Sequence, residues 1–248
     1  QEARAEAEEG GGVSLLTICQ NTVDALAFGA RPASIVGNND ALARQMLAML
    51  NMAIPRLAGR HNWQALVKLH SVTTANGTES YALPSDLGHY ITETFWDATN
   101  YWPMSGSMDP QTWQTLKRGL VASSIRKRFR VYANLLYIYP TPTATESLVA
   151  EYISSKPVLD NDGSTYKATF TEDADTFVLP EALLELDLKW RLLKAKGLDY
   201  AEEFNEFERA VEREIAQDTP AKTVNLGMET ARSTPSYLAN IPQTITGV

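Results

Sequence analysis

The chain has 248 residues, 44% hydrophobic and 21% charged, the balance of a globular protein able to bury a substantial core. Its formal net charge of −8 argues against general affinity of the whole surface for nucleic acid. The single cysteine, Cys19, excludes an intrachain disulfide and a cysteine-cluster metal site; it lies in an apolar run and reads as a small buried hydrophobe. No apolar run reaches the roughly 18 residues of a membrane span, and the N-terminus shows no signal-peptide pattern.

In chain order, residues 1–12 read as a flexible acidic arm ending in Gly10–Gly12. Ser14 opens a helix to about Ala27, with Leu15, Ile18, Cys19, Val23 and Leu26 on one face; Gly29 and Pro32 end it. A second helix, capped by Asn39 or Asp40, continues through Met46, Leu50 and Ile54, with Pro55 kinking it or sitting in its last turns. Asn76-Gly77 between Lys68–Thr74 and Glu79–Leu83 predicts a two-residue hairpin. Residues 90–97 read as a strand, Asp109-Pro110 starts a short helix, and residues 124–139 form a second hairpin turning at Ala133-Asn134. Leu148–Ser154 is a further strand, and residues 155–176 read as a polar loop.

The segment Leu179–Asp218 reads as one long helix, or two joined at Gly197, a candidate hinge. Its first half is apolar nearly all round. The second carries Tyr200, Phe204, Phe207, Val211 and Ile215 at helical spacing. From Asp199 to Asp218 there are eight carboxylates against Arg209 and Arg213, a local formal charge of −6. Glu202, Glu203, Glu206 and Glu212 form a candidate acidic face for a channel or a neighbouring subunit.

The element order predicts an α+β fold. Residues 13–63 and 177–218 form a helical bundle, with Trp63 and Trp190 as candidate core anchors. A mainly antiparallel β region over 64–176 is inserted in it, with Tyr81 as its anchor. Residues 219–248 are an extended C-terminal tail that reads as having no period, too apolar for a solvated linker and too irregular for a core of its own. Its Tyr237, Leu238, Ile241 and Ile245 are candidate partner contacts.

Nothing here is specific to an enzyme. His61, His70 and His89 lack metal-ligand spacing, and no nucleophile elbow, phosphate loop or dinucleotide fingerprint occurs. Asp160, Asp162, Glu172, Asp173 and Asp175 lack the ligand order of a calcium loop. No catalytic residue, cofactor or metal is assigned. A basic run, Lys117, Arg118, Arg126, Lys127, Arg128 and Arg130, contains no acid between 126 and 130. Alternation on a strand over 125–132 puts Arg126, Arg128 and Arg130 on one face. That face is a solvated edge, a phosphate-facing surface, or a contact for an acidic segment of another copy.

Several landmarks occur in a fixed order: Trp63; Tyr81-Ala-Leu-Pro84-Ser-Asp86; Trp113; Tyr139-Pro140-Thr-Pro142; Glu151-Tyr152; and Asp175-Thr-Phe177-Val-Leu-Pro180-Glu181-Ala-Leu-Leu184 leading to Trp190. Over residues 13–217 the chain resembles the head-to-tail adaptor proteins of tailed bacteriophages, the connector or tail-tubular-A-like proteins. The resemblance implies a non-enzymatic virion protein, made in the host cytoplasm and placed at the neck. Such a protein forms a ring of twelve copies between the portal protein and a tail nozzle or other tail proteins. Double-stranded DNA passes through the lumen without sequence-specific binding, and no membrane is involved. Two other readings stay open on the residues alone: a tail-associated peptidoglycan hydrolase, and a DNA-binding module using Arg126–Arg130.

Overall fold

The structure, a computed structural model, describes residues 12–119 and 126–218; the arm before Gly12 and the tail with Tyr237, Leu238, Ile241 and Ile245 lie outside the described residues. Helix α1 spans Leu15–Leu26 and α2 spans Ala41–Ala58. Ser14 and Asp40 cap them, each side chain accepting a backbone N–H of the first turn. Pro55 sits in the last turns of α2, ahead of its C-cap Gly59. The chain continues through β1 (Val67–Thr73), β2 (Ser80–Ala82), β3 (Leu87–Tyr90), β4 (Trp96–Asp97), β5 (Trp102–Pro103) and α3 (Pro110–Arg118). Then come β6 (Arg128–Tyr132), β7 (Leu135–Tyr139), β8 (Ser147–Ser154), β9 (Val158–Leu159), β10 (Tyr166–Lys167) and β11 (Thr176–Phe177). Helices α4 (Glu181–Ala195) and α5 (Ala201–Asp218) close the described chain. The fold is α+β, and its sheets are antiparallel.

Strand β8 organises the five-stranded sheet. It pairs along its length with β1, from Val67↔Ile153 to Thr73↔Ser147; β3 and β4 take successive stretches of its other edge. A second sheet runs β2-β7-β6 and a third β10-β9-β11. Between the first two lies one apolar cluster, built on Val72, Phe95, Phe129, Leu136, Ile138 and Leu148, with Phe95 and Phe129 stacked. The larger cluster joins α1, α2 and α4 through Leu15, Ile18, Met46, Leu50, Leu184 and Leu188, and includes the buried Trp63.

Three local expectations are corrected. Asn76-Gly77 does form a turn, with Thr78 N–H donating to the Ala75 carbonyl at 3.1 Å. Its flanking strands do not pair, because β1 joins β8 and β2 joins β7. Only Gly77 has positive φ there, whereas the mirror-image turn of a two-residue hairpin needs it at both central residues. That requirement is met at Ala133 (φ 49°) and Asn134 (φ 58°), which join β6 to β7. Residues 90–97 are not one strand, since Glu93 turns into the left-handed region at φ 67° and separates β3 from β4. The polar stretch 155–176 contains β9 and β10, and its last residue opens β11.

Helices α4 and α5 are two helices, not one. Gly197, at φ 72°, takes the left-handed position after the C-cap Lys196. Leu198 N–H then donates to the Leu193 carbonyl at 3.0 Å and Gly197 N–H to Lys194 at 3.1 Å, the paired bonds of a Schellman cap. The chain reverses there, and Tyr200, just ahead of α5, and Phe204 and Phe207 within it return to the ring of Trp190. Leu184, Leu188 and Leu192 take the opposite side of α4 into the main core.

The connection 171–175 fastens this assembly. Asp175 has no exposed surface; its carboxylate accepts Thr171 N–H at 2.7 Å, Glu172 N–H at 2.9 Å and Lys167 Nζ at 3.0 Å. Its carbonyl accepts Leu15 N–H at 2.8 Å, and Ser14 bridges Thr176. Asp173 accepts the N–H groups of Ile35 and Val36. Removing the carboxylate leaves the Thr171 and Glu172 N–H groups without their acceptor and takes one bond from Lys167. Asp175→Ala is therefore expected to lower the unfolding free energy by about 3 kcal/mol, read by urea denaturation.

Candidate functional site

The sequence landmarks turn out to be joints. Tyr81 Oη accepts Ala75 N–H at 3.1 Å and donates to the Thr78 carbonyl at 2.7 Å, closing the turn before β2. Asp86 is a hub: Oδ1 accepts Tyr152 Oη at 2.8 Å, and Oδ2 accepts Lys68 Nζ at 2.7 Å and Ser154 Oγ at 2.9 Å. Burial pushes the Asp86 carboxyl up, but the hydrogen bonds from Lys68, Tyr152 and Ser154 outweigh it and hold it at about 2. Trp63 is buried and donates its indole N–H to the Leu57 carbonyl at 2.9 Å. Trp190 is half-buried and donates to Asp187 Oδ1 at 3.0 Å. Trp113 is buried, edge-on to Tyr139.

Two charged residues that the sequence reading did not single out are consumed inside the fold. Lys127 is buried, bonding Asp97 and standing 2.6 Å from Glu146 Oε2. Burial pushes its ammonium pKa down, and the two carboxylates more than restore it. Asp187, inside α4 and almost wholly buried, also holds Arg191 Nε at 2.5 Å. The alternation around Phe129 could have marked Lys127 as inward-facing; nothing in the local sequence marks Asp187.

Among the acidic loop residues, Asp160, Glu172 and Asp175 bring carboxylate oxygens within 4.8 Å of one another. Lys167 Nζ lies among them, 2.8 Å from Asp160, 3.0 Å from Asp175 and 3.8 Å from Glu172. A divalent cation at this point would have to displace that ammonium. Asp162 instead ties its own turn, accepting the N–H groups of Ser164 and Thr165. The histidines serve separate contacts: His61 with Asp218, His70 with Tyr90 and His89 with Asn62. Burial lowers the His70 pKa and pushes the Cys19 thiol up to about 12, a poor setting for a base or a nucleophile.

The carboxylates of the α5 segment divide into two groups. Glu208 grips Arg60 through two bonds, 2.6 and 2.7 Å, with the guanidinium over the Phe207 ring. Asp218 accepts Gln64 N–H at 3.0 Å, Asp199 accepts Ala201 N–H at 3.1 Å, and Glu214 lies 3.8 Å from Arg213. Glu202, Glu203, Glu206 and Glu212 make no ion pair among the described residues; Glu203 is half-buried and the other three are exposed.

The basic candidates also separate. Strand β6 starts at Arg128 rather than at residue 125, so Arg126 precedes it and sits over the Trp102 ring at 5.4 Å. Arg128, Arg130 and Tyr132 alternate along the outer face of β6, opposite the buried Phe129. Arg130 lies over Tyr132 at 4.7 Å, and Tyr132 stacks on Tyr137 with ring centres 4.1 Å apart. Arg128 and Arg130 make no ion pair among the described residues. The two-stranded hairpin thus presents guanidinium groups beside stacked tyrosines, while α5 presents unpaired carboxylates.

The sequence pattern of the SU10 adaptor protein family matches residues 20–232. The chain belongs to that family. It is a family of phage head-to-tail adaptors, so this SU10-family chain is a phage structural adaptor. No curated protein matches the chain. No described helix is long and apolar enough to cross a membrane.

Two outcomes test these joints. A carboxyl held below its ordinary 3.8 adds stability above that value, lost as pH falls through 3.8 towards about 2. Asp86→Asn is expected to flatten the acid limb of stability across that window, by on the order of 2 kcal/mol, measured by urea titration at each pH. Gly197→Ala meets no atom within 4 Å, so its cost is backbone strain alone: about 1 kcal/mol, with Gly197→Asn costing less.

Proposed function

We propose that this adaptor forms a closed ring, of twelve copies, between the portal protein and the tail, and carries the DNA channel from one to the other. The observation that supports it is the pair of unsatisfied surfaces of opposite sign on one chain. Glu202, Glu203, Glu206 and Glu212 project from α5, and Arg128 and Arg130 from the β6–β7 hairpin. A ring contact is heterologous, so each copy meets its neighbour with a different patch. In this reading the acidic face of one copy meets the basic face of the next, with Arg126 at the margin.

Residues 13–63 and 177–218 form the bundle layer and 64–176 the inserted β layer. Gly197 is the hinge at which α5 adjusts against α4 on assembly. Tyr237, Leu238, Ile241 and Ile245 of the tail seat on a neighbouring copy or on the portal. Tail nozzle or other tail proteins take the opposite end of the ring. Double-stranded DNA passes through the lumen without base readout. The protein acts without catalysis, cofactor or metal, at the neck of the virion, after synthesis in the host cytoplasm. A second reading, in which the α5 face lines the lumen and repels phosphates, rests on the same unpaired carboxylates.

Charge reversal separates the two. Glu206→Lys and Arg130→Glu are each expected to reduce portal-associated ring yield by about tenfold, and the double variant to restore it. The readout is imaging and native mass of portal complexes. Normal rings from both single variants would remove the lateral contact. A monomer or dimer on the portal, with no ring in line with it, would remove the adaptor ring itself.

A further inference from the structure

Strand β1 is the outer edge of the five-stranded sheet. Thr74 N–H donates to the Glu146 carbonyl at 2.8 Å, and the register continues through Val72↔Leu148, His70↔Ala150 and Lys68↔Tyr152. Backbone groups along an antiparallel strand point alternately to its two neighbours. Leu69, Ser71 and Thr73 therefore turn their N–H and C=O groups away from β8. None of these three N–H groups donates to a described residue outside the ladder. Their side chains are exposed as well, Leu69 to 62%.

A bare edge is a template for another strand, and folded proteins blunt such edges with charge, proline or a bulge. Strand β1 has no proline, and its register with β8 is unbroken. Its cation, Lys68, is committed to Asp86 and the Tyr166 ring. An open, uncharged edge with a protruding leucine fits a partner strand.

We propose that this edge accepts residues 223–228 of a second copy as an added antiparallel strand. The chain continues for 30 residues past Asp218, and Thr223–Met228 alternates Val224, Leu226 and Met228 with Thr223, Asn225 and Gly227. The family pattern runs to residue 232 and so includes this stretch. Gln64 N–H donates to Asp218, so the described chain ends beside the start of β1. An antiparallel partner has to begin at the Thr73 end, about 20 Å beyond the start of the strand. The five steps from Asp218 to Thr223 span at most about 18 Å. A copy's own segment cannot enter in that direction, whereas a neighbour's segment meets no such limit. The inference rests on the self-assembly proposed above.

The test mixes two full-length chains. Leu226→Pro keeps the edge and disables the segment; Ser71→Pro keeps the segment and blocks the edge, with the lost N–H facing outward as edge prolines require. Amide exchange is followed at Leu69, Ser71 and Thr73 of an isotope-labelled Leu226→Pro chain. Adding the Ser71→Pro chain is expected to slow these amides by about tenfold or more, and adding further Leu226→Pro chain to leave them unchanged. If Ser71→Pro fails to fold, Ser71→Glu supplies the blocked edge. No slowing in the mixture overturns the pairing, as does wild-type protection that persists unchanged on dilution. Rings formed at wild-type yield from Ser71→Pro chains also overturn it while leaving the adaptor reading intact. Slowing without any ring supports the pairing and removes the ring.

Discussion

One carboxylate without exposed surface, Asp175, fastens three parts of the chain at a single point. Its side chain closes the turn 171–175 and receives Lys167, and its carbonyl receives the first N–H of α1. The next residues enter β11 and then α4. An N-terminal helix, the end of the β region and the C-terminal helices are thereby brought into register. Burial of so polar a knot is tolerated because its lone pairs are satisfied, two by backbone N–H groups and one by an ammonium. The apolar core of α1, α2 and α4 can then close on itself.

The same physical logic governs the charges elsewhere. A net acidic chain could have spread its charge evenly over solvent. Instead Asp86, Asp97, Asp175 and Asp187 are drawn inward and matched to Lys68, Lys127, Lys167 and Arg191. Outside remain the glutamates of α5, among which Arg209 and Arg213 are interspersed, and the arginines of β6. A surface pair fully solvated in one subunit contributes little. In the ring proposed above such patches meet only on assembly, which keeps their charge available for orientation and for rejecting wrong partners. A structural adaptor needs that more than it needs extra subunit stability.

Gly197 shows how one residue shapes a surface. Its left-handed backbone ends α4 and lets α5 return along it, so that Trp190 is covered by Tyr200, Phe204 and Phe207. A continuous helix would have carried the acidic half away from the core. Reversal buries Phe207, Ala210 and Val211 of α5 and leaves Glu202, Glu206 and Glu212 on the opposite side, exposed.

The sequence by itself determined the α+β class, the helix starts at Ser14, at Asn39-Asp40 and at Asp109-Pro110, the hairpin turn at Ala133-Asn134 and the family landmarks. These are local matters: side-chain caps, positive φ and helical period act over a few residues. Only tertiary structure decided that β1 pairs with β8 rather than across Asn76-Gly77, because strand partners are chosen by packing far along the chain. It also decided that Lys127 and Asp187 are buried, that Lys167 occupies the centre of the acidic cluster, and that Glu208 finds a cation among the described residues while four other glutamates of α5 do not. Whether a charge is spent within the subunit depends on what the fold brings within about 4 Å of it, and residue spacing along the chain does not encode that distance.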